Sequence, residues 1–176
     1  QTLAIPLLWK KRKCIVTIHD LIPLARNEYN SFAQKLLFIL IKKALGKATH
    51  LIVDSRHTKK DIISLIDYPE EKITVIPLGI DHSEFFDKNI KREKNTVLYV
   101  GSDQKRKNVE LIIRAIALLV QEIRDIQFIK VGEAQDIKMR ETLKNLSKKL
   151  KVEKHVIWKD YIEDLANEYS KATIFV

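Results

Sequence analysis

Two groups of residues have side chains and spacing suited to chemistry. The first is Gly101-Ser102-Asp103-Gln104-Lys105-Arg106-Lys107-Asn108, a glycine-broken turn that ends in three consecutive cations. Cations beside the start of a helix oppose its half-positive N-terminal end, at about 0.3–1 kcal/mol each. An element that breaks a local rule in this way is a candidate functional site. A bound anion, held by helix N–H groups and by the cations themselves, is the simplest compensation, and phosphate is the natural anion. The second group is His19-Asp20, at the end of the apolar run Cys14-Ile-Val-Thr-Ile18. Open parallel sheets present ligand-binding groups at such strand ends. Both groups also have a plainer reading: a solvated basic loop, and a histidine satisfied by Asp20 or by a carbonyl.

The elements that must position these residues alternate between strand and helix. Strands are expected at Cys14–Ile18, His50–Asp54, Ile73–Ile76, Val97–Val100, Ile126–Val131 and His155–Trp158, with a last one at Thr173–Val176. Pro23 bars simple continuation beyond the first strand. Helices are expected at Phe32–Leu45, capped by Ser31 and closed by Gly46, and at His57–Ile66, capped by Ser55. Further helices are expected at Val109–Gln121, with Asn108 as N-cap, at about Asp136–Leu150, and at Asp164–Lys171. Gly79, in Pro77-Leu-Gly79-Ile-Asp81, is expected to supply a positive φ angle. His57 falls in an exposed first turn and needs no role. The pattern collapses between His82 and Asn95, where Asp87 to Lys94 is charged and aperiodic. That stretch is the expected domain boundary. Alternating strands and helices on both sides of it predict an α/β protein with two parallel, Rossmann-like sheets.

Composition excludes several classes. The only glycines are at positions 46, 79, 101 and 132, so neither G-x-G-x-x-G nor G-x-x-x-x-G-K-[ST] can be written in the chain. A single cysteine, Cys14, allows no intrachain disulfide and no cysteine-based zinc site, and reads as a buried thiol. Apolar runs such as Leu36–Ile41 are far shorter than the ~20 residues that span a bilayer. That helix, flanked by Lys35 and Lys42-Lys43, reads as a sheet-covering element, with an interfacial one touching lipid as the alternative. A net charge of +9 favours an anionic partner. With 7% aromatic residues and no recognised binding motif, a nucleic-acid module is the weaker form of that expectation.

Taken in order, the motifs resemble a family. They are Val-Thr-Ile-His19-Asp-Leu-Ile-Pro; Val53-Asp-Ser55 with Thr58-Lys-Lys-Asp61; Glu71-Lys-Ile-Thr-Val-Ile-Pro-Leu-Gly79-Ile-Asp81; Tyr99-Val-Gly101-Ser with Arg106-Lys107-Asn108; and Val156 to Tyr161 with Asp164-Leu165. Their order and spacing are similar to those of the retaining glycosyltransferases of family 4. The resemblance implies a GT-B architecture of two Rossmann-like domains, both incomplete here. Residues 1–86 would belong to the acceptor-side domain, 87–95 would be the linker, and 96–176 would begin the nucleotide-sugar-binding domain. It further implies hexosyl transfer, of mannose or glucose, from a nucleotide-sugar to a glycan or lipid-linked acceptor in polysaccharide or cell-envelope synthesis. No metal and no other cofactor is implied, and no D-x-D triplet occurs.

In that family His19 matches the histidine that reaches the donor sugar. Lys107 matches the lysine that neutralises the diphosphate leaving group, with Arg106 its companion, while Lys105 matches nothing. Gly101 and Ser102 fall at the donor turn, and Tyr161 and Ile162 beside the nucleobase. Ser102 stands where many members carry an arginine, which leaves that charge to Arg106. The E-x₇-E glutamates that hold the donor and much of the acceptor site fall outside the chain, which reads as an internal segment, inactive alone. A cytoplasmic location is expected, with peripheral contact at the inner face of the cell membrane. The rivals are a GT-B sugar-nucleotide epimerase and a basic nucleic-acid-binding module.

Overall fold

The computed structural model describes residues 13–21 and 32–176. Ser31 and Pro23, and with them the expected cap and strand stop, lie outside the described residues. The chain divides after Ile80 into two compact units, each built on a parallel sheet.

The first unit has three strands in the order β1-β2-β3: β1 (Ile15–Ile18), β2 (His50–Val53) and β3 (Ile73–Val75). The helix α1 (Phe32–Leu45) connects β1 to β2, and α2 (Arg56–Ile66) connects β2 to β3. The Ser55 side chain accepts the Thr58 N–H at 3.1 Å, the expected N-cap. Asp67 closes α2 in the left-handed region, with φ 60°. Leu45, Leu51, Val53 and Ile62 are completely buried, as expected for a sheet covered by helices. The α1 helix is only partly covered. Ala44 and Leu45 point inward, whereas Leu36, Ile39 and Leu40 are exposed.

The second unit has four strands in the order β6-β5-β4-β7: β4 (Thr96–Val100), β5 (Gln127–Val131), β6 (Val156–Lys159) and β7 (Ile174–Phe175). Helices α3 (Val109–Leu119), α4 (Ile137–Lys149) and α5 (Leu165–Lys171) lie between them in sequence. On one face Val97, Tyr99 and Phe128 meet Val109, Ile113 and Ile116 of α3 and Leu143 of α4. On the other, Leu98, Ile129 and Val131 meet Ala172. The spacing 109, 113, 116 is the inward stripe of an amphipathic helix. Asp136 and Asp164 cap α4 and α5 with their side chains, at 3.1 Å to the Met139 N–H and 3.0 Å to the Asn167 N–H.

Two expected local features differ. Asn108 precedes α3 but makes no side-chain cap. It adopts φ 52°, and its N–H bonds the Lys105 carbonyl at 3.1 Å, because Lys105–Lys107 form a tight 3-10 turn that must be reversed before α3 begins. Asn is among the few residues that tolerate this left-handed conformation. Gly79 does not take a positive φ; Gly101 and Gly132 do, at 155° and 127°.

Residues 87–95 run along the second unit. The Glu93 N–H bonds the Lys171 carbonyl at 2.8 Å, the Thr173 hydroxyl donates to the Glu93 carbonyl at 2.6 Å, and Lys88 Nζ pairs with Asp164 at 2.6 Å. Phe85 meets Tyr169 edge-on, and Tyr169 meets Phe175 likewise, at 6.4 and 5.0 Å between ring centroids.

Candidate active site

In the second unit the ends of three strands come into step. The Gly101 N–H donates to the Val131 carbonyl and the Gly132 N–H to the Lys159 carbonyl, each at 2.9 Å, so the ladder continues one residue past β4 and β5. Both glycines are required by geometry. A Cβ on Gly101 would lie 2.8 Å from Tyr99 Oη, and one on Gly132 would lie 2.4 Å from the Gly101 carbonyl oxygen. Gly132→Ala should therefore push these two backbones apart and strain a positive φ. The expected result is a loss of about 1–3 kcal/mol in the second unit, read by chemical denaturation against Gly79→Ala, which meets open space.

Beyond the glycines lies an open cavity of about 370 Å³, lined by Gly101, Ser102, Gly132, Gln135, Tyr161 and Ile162 among others. Strand ends of a parallel sheet with a close backbone approach are where such folds hold ligands. Of the residues singled out in the sequence, Gly101, Ser102, Tyr161 and Ile162 are in its wall. Arg106 and Lys107 are not in the wall. Arg106 Nε donates to Gln104 Oε1 at 2.9 Å, and Gln104 Nε2 donates to Gln135 Oε1 at 3.1 Å, which connects the cationic turn to the cavity rim. Among the described residues the Lys105 and Lys107 ammonium groups form no ion pair, leaving both charges available to an anion.

Underneath is a charged cluster that the sequence did not announce. Lys130 and Asp103 are wholly buried, and Arg140 nearly so. Lys130 Nζ forms an ion pair with Asp103 Oδ1 at 2.7 Å, and it donates to the Gly132 carbonyl at 2.7 Å. Arg140 Nε donates to Asp103 Oδ2 at 2.6 Å. Burial pushes the Lys130 ammonium below its usual pKa, opposed by Asp103. Burial likewise raises the Tyr99 phenol, with Asp103 adding to the effect, so it stays protonated and donates to the Ser102 carbonyl at 3.2 Å. In the sequence Lys130 reads as an ordinary strand residue and Arg140 as one more helix cation. The usable signal is a lysine near the end of a strand buried on both faces, which demands a buried partner.

His19 is described within the first unit. It follows β1, its side chain is 54% exposed, and Nδ1 lies 3.3 Å from Asp54 Oδ2 at the end of β2. The partner is thus Asp54, where the sequence suggested Asp20 or a carbonyl. The Thr58 hydroxyl donates to the His19 carbonyl at 3.1 Å and fixes the backbone there, while the ring stays open to solvent on its other side. His57 is 87% exposed, 3.6 Å from Asp61.

Comparison with known proteins bears on both units. Residues 81–176 match the family model described as glycosyl transferases group 1, and residues 2–84 match that of glycosyltransferase family 4. The O-antigen chain mannosyltransferase RfbU of Salmonella typhimurium is 31% identical over 116 residues, covering 58% of this chain and 32% of that protein. Anabaena Alr3699/HepE, solved with UDP-glucose, superposes with a TM-score of 0.78 at 16% identity over 98% of this chain and 48% of its own. WaaG, a glycosyltransferase involved in lipopolysaccharide biosynthesis, superposes with a TM-score of 0.73 at 18% identity over 92% of this chain and 49% of its own. The chain thus spans between about a third and a half of these relatives. The shared fold is that of the GT-B glycosyltransferases, as the sequence resemblance implied. With its second unit matched throughout and its first matched almost as fully, the chain belongs to the group 1 glycosyl transferases of family 4.

Proposed function

We propose that the full-length protein transfers a hexose from a nucleotide-sugar to a glycan or lipid-linked acceptor, with retention at the anomeric carbon and without a metal. The second unit is the donor side and the first the acceptor side. The observation that carries this reading is the cavity at the ends of β4, β5 and β6, whose glycine-lined floor admits a diphosphate backbone and whose rim connects to Arg106. Lys107 and Arg106 supply the charge that a metal would otherwise bring to the leaving diphosphate, Gly101 and Ser102 bound the donor turn, and Tyr161 and Ile162 flank the base. His19, its ring oriented by Asp54, is the group from the first unit assigned to the sugar.

The name of the mannosyltransferase RfbU and the UDP-glucose with which HepE was solved make mannose and glucose the first donors to try. GDP-mannose and UDP-glucose, offered to the full-length protein with lipid-linked acceptors, should release nucleoside diphosphate at a rate unchanged by excess EDTA, and the product should keep the donor's anomeric configuration by NMR. Conversion of the donor to its epimer without acceptor turnover would establish the epimerase instead.

Among the described residues no helix is long and apolar enough to cross a membrane. The exposed Leu36, Ile39 and Leu40 on α1, with Lys42 and Lys43 in its last turn, support a peripheral contact with anionic lipid at the cytoplasmic face. Lys13 adds to this charge; the neighbouring residues 10–12 lie outside the described residues. Each lysine near such a surface contributes about 1 kcal/mol at low salt. Vesicles containing phosphatidylglycerol should retain the protein at low salt and release it at high salt. Equal retention by neutral vesicles would refute an electrostatic contact.

A further inference from the structure

Arg140, in the first turn of α4, reaches three loops with one side chain. Nε donates to Asp103 Oδ2 at 2.6 Å in the loop after β4, Nη2 to the Gly132 carbonyl at 2.6 Å after β5, and Nη1 to Asp160 Oδ1 at 3.0 Å after β6. The guanidinium also lies over the Trp158 ring, 4.9 Å from its centroid, which fixes its plane. The same three loops supply much of the cavity wall, through Gly101 and Ser102, through Gly132 and Gln135, and through Asp160 to Ile162.

The members of this cluster play different electrostatic roles. Asp103 is balanced by either Lys130 or Arg140 alone, and the remaining positive charge is balanced by Asp160. Asp160 is 69% exposed, however, while Arg140 is 7% exposed. A carboxylate so well solvated gains little stability from an ion pair. What the contact does is tie the exposed start of this loop, ahead of the packed Ile162, to a side chain that is already immobile.

We propose that Asp160 is a positioning residue: its bond to Arg140 holds the loop 160–162 at the width the cavity needs to grip a nucleoside diphosphate. This rests on the nucleotide-sugar reading for its ligand and on geometry alone for the loop. Asp160→Asn keeps an oxygen for Nη1, and Asp160→Ala removes it. Titration calorimetry of the full-length protein with UDP and GDP should show Asp160→Ala weakening the better ligand about 5- to 50-fold and Asp160→Asn staying within about threefold. If Asp160 merely repels the diphosphate, both variants will bind more tightly, and if it is only a solvated rim charge, neither will change. Either result overturns the proposal.

A second measurement needs no ligand. Amide hydrogen exchange should quicken at Gly132, whose N–H bonds the Lys159 carbonyl at 2.9 Å just before the loop, in Asp160→Ala but not in Asp160→Asn, with β4 and β5 unaffected in both. Identical exchange in the two variants would overturn the positioning role whatever the ligand. If the exchange difference holds while the wild-type protein binds neither UDP nor GDP, the positioning role stands and the nucleotide-sugar reading fails.

Discussion

In the full-length protein Lys107→Ala should lower kcat by about 100- to 1000-fold while donor KM moves far less. The leaving diphosphate gains negative charge as the glycosidic bond breaks, so a fixed cation beside it stabilises the transition state more than the bound donor. Lys107 suits that task because its ammonium group is held by no ion pair among the described residues, and the 3-10 turn fixes its backbone through a 2.8 Å bond from the Lys107 N–H to the Gln104 carbonyl. Arg106→Ala should act in the same direction but more mildly, since Arg106 already donates to Gln104. Lys105→Ala should change little. Steady-state kinetics at low and high salt decide the matter: three equal effects that vanish in high salt would reduce the turn to a diffuse basic patch.

The second large effect is on stability, and it is asymmetric. Asp103→Leu should destabilise the second unit by about 3–5 kcal/mol, because it strands a wholly buried ammonium group beside a nearly buried guanidinium. Lys130→Met should cost far less, about 1–2 kcal/mol, since Asp103 keeps Arg140 at 2.6 Å and the Gly132 carbonyl keeps a donor from the same side chain. It also removes an ammonium that burial disfavours. Urea denaturation of the two variants tests this order, and equal losses would show that the cluster acts as an indivisible unit.

Features governed by local chemistry were legible in the sequence. Ser55 announces its helix because a hydroxyl just before an apolar stripe can accept a free first-turn N–H, and the helices that begin at Asp136 and Asp164 were placed to within a residue. The parallel strands were legible because β-branched runs between turns leave few alternatives, and the turn at Gly101 because a glycine after a buried strand marks its break. Asn108 misled because the same side chain serves an N-cap or a left-handed reversal, and only the three-residue turn before it decides which. Gly79 misled because it sits in open space, with no neighbour to demand its missing side chain. The Asp103, Lys130 and Arg140 cluster was hidden because its members are far apart in sequence and each resembles a surface charge. The partner of His19 was hidden for the same reason, since Asp54 is brought to it by strand pairing alone.

The order of strands in the second unit also has a consequence in time. Val97 of β4 pairs with Ile174 of β7, about 77 residues further along the chain. Parallel partners so distant cannot meet until everything between them has been made. At about 5–20 residues per second, ribosomal synthesis leaves that side of β4 without its strand for roughly 4–15 s. During this interval the unpaired edge of Thr96-Val-Leu-Tyr-Val100 is apolar and rich in β-branched residues, the kind of edge on which nascent chains pair with one another. Slower translation lengthens the exposure and lower temperature weakens the apolar attraction, so the yield of folded protein depends on how fast β7 arrives as well as on how stable the finished sheet is.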